Sequence, residues 1–315
     1  MPSVTLHLVL ADRVLDQWQD SPSTAPFDPF DTNLQNAFHQ GAVGPDLGYF
    51  PGGHRLLSDL SHLVRTGELT RTLVELAENP REKAFAWGWV THVLADQAIH
   101  PLVGKGVGEI LYGDREFFAD SARHQLAHVR VETGLDALYS RLFPAVRHKR
   151  MSPVFHGTSI RFLVTAYQQV YRIHVDPVLA LSSHLAAVRM SAHGLWSTGV
   201  LSRALLPGAE SRTLAGARWL MRRLLSGVKR MGGNALMLAY LNPIPPASWL
   251  TEEVGEVVDS FVPWFQGHFR HGCRDLADFN LDSGRVDESP VTHLGARRAL
   301  DALARFRTPA LPSPG

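Results

Sequence analysis

Residues 84–101 read AFAWGWVTHVLADQAIHP and set a chelating side chain at every fourth position, His92, Asp96 and His100. Four residues of α-helix advance by about 400° and rise about 6 Å, so successive members drift by about 40° and stand in one column. A carboxylate at the centre of such a column has two oxygens and can bridge two ions, while each imidazole gives one nitrogen to the ion on its own side. Residues 123–136, RHQLAHVRVETGLD, repeat the device with His124, His128 and Glu132 at i, i+4 and i+8. A single His–Asp pair at this spacing is usually an exposed helix contact of a few tenths of a kcal/mol. Two columns change that reading. The first is flanked by Trp87, Trp89, Val93, Leu94 and Ile99, and charged groups in apolar surroundings need partners or a metal. The spacing therefore predicts two facing helices that hold a cluster of metal ions.

Helical spacing dominates the rest of the chain. Leu6, Leu10, Val14 and Trp18 recur at i, i+4 and predict a first helix over residues 5–19. Residues 21–53 carry Pro22, Pro26, Pro29, Pro45 and Pro51 with Gly41, Gly44, Gly48, Gly52 and Gly53, which predicts an irregular loop with a short helix over 33–39. Further helices are expected over 54–64, 70–78 and 80–100, the last started by Pro80 or Arg81 and ended by Pro101, and over 115–142. No alternating β pattern stands out. The basic stretch RHKRMSP at 147–153 separates a helical core, residues 1–150, from a second helical half, residues 151–315, which is expected to pack on the same core as one domain. The fold class that follows is all-α, and the PSPG tail is expected to be disordered.

Composition narrows the class further. The 315 residues, 45% of them hydrophobic, suffice for a large buried core. Lys and Arg number 31 against 30 acidic residues, a net charge of +1, which gives no broad basic footprint and no expectation of duplex nucleic acid as a partner. The opening MPSVTLHLVLADRVLDQW has Asp12, Arg13 and Asp16 where a signal peptide needs an apolar run, and no other run approaches the roughly 20 apolar residues of a membrane span. A cytoplasmic protein is the expectation. The single cysteine, Cys273, forms no internal disulfide and provides no thiolate zinc site, so any metal is held by His and carboxylate.

These motifs, taken in order, resemble the bacterial zinc-dependent phospholipase C family, which is related to the single-strand-specific zinc nucleases. The resemblance rests on His7 in the first helix, Asp46 in GAVGPDLGYF, His54 in PGGHRLL, the pair His92 and Asp96, then His100, and the pair His128 and Glu132; it is close over about the first 140 residues and loose beyond. It implies an all-helical fold and two or three zinc ions. Asp46, His54, His92 and Asp96 would hold one, His100, His128 and Glu132 a second, and His7 with a shared Asp96 the third. In secreted relatives the third zinc is completed by the amino group and carbonyl of an N-terminal tryptophan, which this chain lacks. Removal of Met1 before Pro2 is expected to leave a prolyl amine in that role. The step from Asp96 to His100 is shorter than in the extracellular enzymes, and Leu47 stands where choline-preferring lipases carry an aromatic ring, which puts choline specificity in doubt. Tyr49 and Phe50 are read as packing anchors first and pocket walls second.

The function implied is hydrolysis of a phospholipid or another phosphodiester by a zinc-activated water that attacks phosphorus in line, with Asp46 orienting or deprotonating that water. A single-strand nuclease of the same fold would want aromatics beside a basic groove. A helical binding protein with structural zinc would close each ion with four protein ligands. Of the remaining histidines, His124 is read as a supporting group beside His128. His39, His62, His174, His184 and His193 are read as structural or surface residues, and His268 with His271 as a solvated helix end. The amphipathic stretch TLAGARWLMRRLLSGVKRM at 213–231 is expected to pack on the core, with transient contact to an anionic membrane surface as the alternative.

Overall fold

The protein is described by a computed structural model that covers residues 4–149, 151–205, 235–240, 242–286 and 293–306. Its helices are α1 (Val4–Asp20), α2 (Thr32–Ala42), α3 (Arg55–Leu63), α4 (Thr66–Leu76), α5 (Pro80–Tyr112), α6 (Gln125–Leu142), α7 (Arg161–Tyr171), α8 (Pro177–Leu205), α9 (Ala235–Tyr240), α10 (Ser248–Arg270) and α11 (Leu294–Phe306). The fold is all-helical, as the periodicity predicts. Among the described residues, the extended structure is one ladder, β1 (Phe279–Asn280) against β2 (Arg285–Val286). It is too short to leave an alternating pattern in the sequence.

Helix α5 is the axis of the molecule. It begins with a capping box, in which Asn79 accepts from the Glu82 backbone and Glu82 reaches back, with Pro80 at the first position. It does not stop at Pro101. The proline lies inside a helix of 33 residues that ends at left-handed Gly113. Pro101 has no N–H to give the Gln97 carbonyl, and Gly284 fits over this defect: a Cβ there would come within 2.7 Å of both Gln97 O and Pro101 Cγ. Helix α6, expected from residue 115, starts at Gln125. Asp114 and Asp120 divert the preceding chain, because their side chains accept from Glu116 N and Ala122 N and close turns instead of a helix.

Backbone contact fixes α2 on α5. A Cβ on Gly88 would sit 1.9 Å from Phe38 O, and one on Gly41 2.0 Å from Phe85 O. The core around them holds Trp18, Trp89, Phe38, Phe85 and Phe265, all buried. Elements of the C-terminal half cover this core: Tyr167 and Tyr171 donate hydroxyls to the Leu57 and Leu60 carbonyls of α3, Phe265 packs edge-on against Trp18, and Trp249 Nε1 donates to Glu109 of α5. The amphipathic stretch 213–231 lies outside the described residues. Among those described, no helix is long and apolar enough to cross a membrane.

Candidate metal centre

Five elements converge on one buried region, α3 among them through His62. From α1 comes His7, set in place because Asp136 of α6 accepts from Leu6 N, an amide of the first turn with no helical partner of its own. Asp46 lies in the 3₁₀ turn Gly44–Gly48. Ser58 donates to Pro45 O and accepts from Gly48 N, while Ser61 donates to Pro45 O, so the turn is fastened to α3. Helix α5 brings His92, Asp96 and His100, and α6 brings His128 and Glu132.

Asp96 is the hub. Its Oδ1 lies 3.1 Å from His7 Nε2 and 3.3 Å from His100 Nε2, and its Oδ2 lies 3.1 Å from His92 Nε2 and 3.3 Å from His62 Nε2. His100 Nε2 is also 3.1 Å from Glu132 Oε1, which is 3.3 Å from His128 Nε2. The ligand atoms form three sets within metal-binding reach, His7–His92–Asp96, Asp46–His62–His92 and His100–His128–Glu132.

Of the residues that sequence reasoning singled out, the structure brings together His7, Asp46, His92, Asp96, His100, His128 and Glu132. It places His54 elsewhere, outside all of these sets. His54 precedes the first turn of α3, its N–H donates to Ser183 Oγ, and its ring meets Phe306 edge-on. In its stead stands His62, eight residues and about 12 Å further along the helix, with Nε2 3.2 Å from Asp46 Oδ1. His124 is in none of these sets and pairs with Tyr112 OH at 3.2 Å.

Whether zinc suits this cage is decided by the ring tautomers. His92 Nδ1 donates to Ala42 O and His62 Nδ1 to Ser58 O. Carbonyls only accept, so both protons are committed there and the neutral rings present bare Nε2 lone pairs. Those two nitrogens face each other at 3.3 Å, a repulsive arrangement unless a cation lies between them. Asp46 Oδ2 and Asp96 Oδ2 are buried without a hydrogen bond. An all-nitrogen-and-oxygen donor set aimed at common points fits zinc, and the carbonyls behind His62 and His92 are the outer hydrogen bonds expected of metal-binding imidazoles.

Without metal, protons take the cation's place. Burial opposes charge on His62, yet the carboxylates of Asp46 and Asp96 beside it outweigh burial and raise its pKa to about 10. His100, likewise opposed by burial, is raised to about 9 by Asp96 and Glu132. Burial works against ionised Asp96 as well, but His100, His92 and His7 hold its carboxyl well below the usual range. His7 goes the other way, lowered by burial and by His92.

A cleft of about 270 Å³ opens above the cage, lined by Asp46, Tyr49, His62, His100, His128 and Glu132, with Arg55, Asp59, Asp282 and Arg298 around them. An all-helical fold with clustered His and carboxylate side chains that could hold metal at the floor of a cleft defines a class of metal-dependent helical proteins. A model of the zinc-dependent phospholipase C family matches residues 6–169, and the chain belongs to that family. No curated protein and no solved structure matches it.

Proposed function

We propose that this chain is a zinc-dependent phosphodiesterase that hydrolyses a phospholipid or a related phosphate ester as a phospholipase C does. The observation that carries the reading is the shared cage: Asp96 splits its two oxygens between His7 and His100 on one side and His62 and His92 on the other. In this reading Asp46, His62 and His92 with Asp96 Oδ2 hold one ion, His100, His128 and Glu132 a second, and His7 with Asp96 Oδ1 a third. Zinc bound so would lower the pKa of a coordinated water towards 7 and offset charge on phosphoryl oxygens.

The residues do the rest. His100, His128 and Glu132 would supply three donors on the wall of the cleft, one fewer than the four of a closed structural zinc site, so that a water could complete the set as in a catalytic site. Asp46 Oδ2, without a hydrogen bond of its own and at the cleft, orients the attacking water and takes its proton. Tyr49, whose ring lies 5.1 Å from that of His62, walls the cleft on the same side. A lipid substrate would bring the cleft into transient contact with a membrane surface.

The test is turnover by protein of confirmed zinc content on phosphatidylcholine and other phospholipids, nitrophenyl phosphodiesters and single-stranded DNA, with and without chelator. Chelator-sensitive release of a phosphorylated headgroup is expected. Turnover of DNA alone would replace the lipase with a nuclease, and no chelator-sensitive turnover of any of them would overturn the reading.

A further inference from the structure

The zinc-dependent phospholipase C match ends at residue 169, yet one carboxylate on the cleft comes from far beyond it. Asp282 sits in the turn between β1 and β2 and is 4% exposed. The turn is built for it: Asn280 Oδ1 accepts from Asp282 N, Gly284 takes the left-handed conformation, and Leu281 N donates to the carbonyl of His62. The last of these ties the turn to α3 at the cage itself. Asp282 then lines the same cleft as His100, His128 and Glu132.

Its two oxygens have unlike surroundings. Oδ2 accepts from His293 Nε2 at 2.9 Å and from Ser121 N at 3.0 Å. Oδ1 is buried and accepts nothing. A buried carboxylate oxygen without a donor is costly, and a site that holds one oxygen with two donors while leaving the other bare is arranged to receive a hydrogen bond from something that enters. His293 and Asp120 stand close enough to suggest an ion of their own with Asp282, but the hydrogen bonds argue otherwise. His293 Nδ1 accepts from Ala296 N, so the ring carries its proton on Nε2 and presents a donor to Asp282, not a lone pair to a metal. One oxygen of Asp120 is spent on Ala122 N and Arg123 N.

We propose that Asp282 Oδ1 accepts the hydrogen bond of the attacking water in the cleft beside His100, His128 and Glu132, with His293 as the positioning residue that holds the carboxylate. The inference rests on the phosphodiesterase reading above. It makes the C-terminal hairpin part of the site and gives the water two acceptors, Asp46 from one side and Asp282 from the other.

The experiment compares zinc-loaded full-length protein with Asp282→Asn, His293→Leu and His293→Gln. Zinc content and affinity are read by chelator competition, kcat and KM on the best phosphodiester substrate, and the visible absorption of the cobalt-substituted proteins against pH. Asp282→Asn is expected to keep the wild-type zinc content, to lower kcat about 100-fold with KM changed by less than about threefold, and to move the pH midpoint of the cobalt spectrum down, because a neighbouring carboxylate resists ionisation of the water. His293→Leu should follow it, and His293→Gln, whose amide still donates, should lose at least about tenfold less than His293→Leu. Loss of one zinc from Asp282→Asn would make Asp282 a ligand and overturn the proposal, as would unchanged kcat together with an unmoved cobalt midpoint. Wild-type protein with full zinc and no turnover would defeat the phosphodiesterase reading instead, and the cobalt midpoint would still report on Asp282.

Discussion

At the scale of single residues, the cage depends on where each imidazole commits its proton. His62 and His92 spend theirs on Ser58 O and Ala42 O, and both face Asp96 with the other nitrogen. His62→Ala should therefore lose one equivalent of zinc by elemental analysis, whereas His54→Ala should keep the wild-type content; the reverse pattern would restore the sequence-based assignment. The five candidate ligands on α5 and α6 were legible because i, i+4 spacing within one helix fixes their relative positions before any tertiary structure is known. The choice between His54 and His62 was not legible, since it turns on which end of α3 meets the Asp46 turn. A weak signal did exist. Ser58, Ser61 and His62 share the buried face of an amphipathic helix with Leu57 and Leu60, and polar groups on such a face need a partner in the interior.

The elements hold those residues through contacts that tolerate no added atom. The α2–α5 crossing sets the Ala42 carbonyl against His92, and it does so because Gly88 and Gly41 let the two backbones meet. Gly88→Ala would place a methyl 1.9 Å from Phe38 O. The helices must then separate, at a cost of about 1–3 kcal/mol by the usual penalty for overpacking. Denaturant unfolding of the metal-free protein should register that loss, and chelator competition should show weaker zinc binding as well, since the same shift draws Ala42 O away from His92. Loss of stability with zinc affinity unchanged would mean that the crossing does not position the cage. Helix presence was readable from periodicity, as were the start of α5 at Pro80 and the end of α6 at Leu142, but the end of α5 and the start of α6 were not. Pro101 passes for a terminator until Gly284, distant in sequence, is seen to cover the interrupted turn, and Asp114 and Asp120 divert the chain before α6 through side-chain bonds that leave no periodic trace.

For the whole molecule, the cage couples folding, protons and zinc. In the metal-free protein, His62 and His100 carry pKa values of about 10 and about 9 against an unfolded value of 6.5. A histidine raised on folding contributes stability that is fully present below pH 6.5 and is lost as the pH climbs through its folded value. His7 and His184 are lowered on folding. Their cost falls below pH 6.5, and above it they are neutral in both states. Between pH 6.5 and 10 the two raised histidines therefore set the sign, and metal-free protein should grow steadily less stable as the pH rises. Zinc held by the cage would reverse the trend, because it would need the neutral rings and would have to displace those two protons, so its binding should strengthen over the same interval. Stripping the metal with chelator should thus lower Tm slightly at pH 6 and markedly at pH 9, measured by calorimetry at fixed ionic strength. An equal drop at both pH values would mean that His62 and His100 do not exchange protons for metal, and the cage could not then be the zinc site.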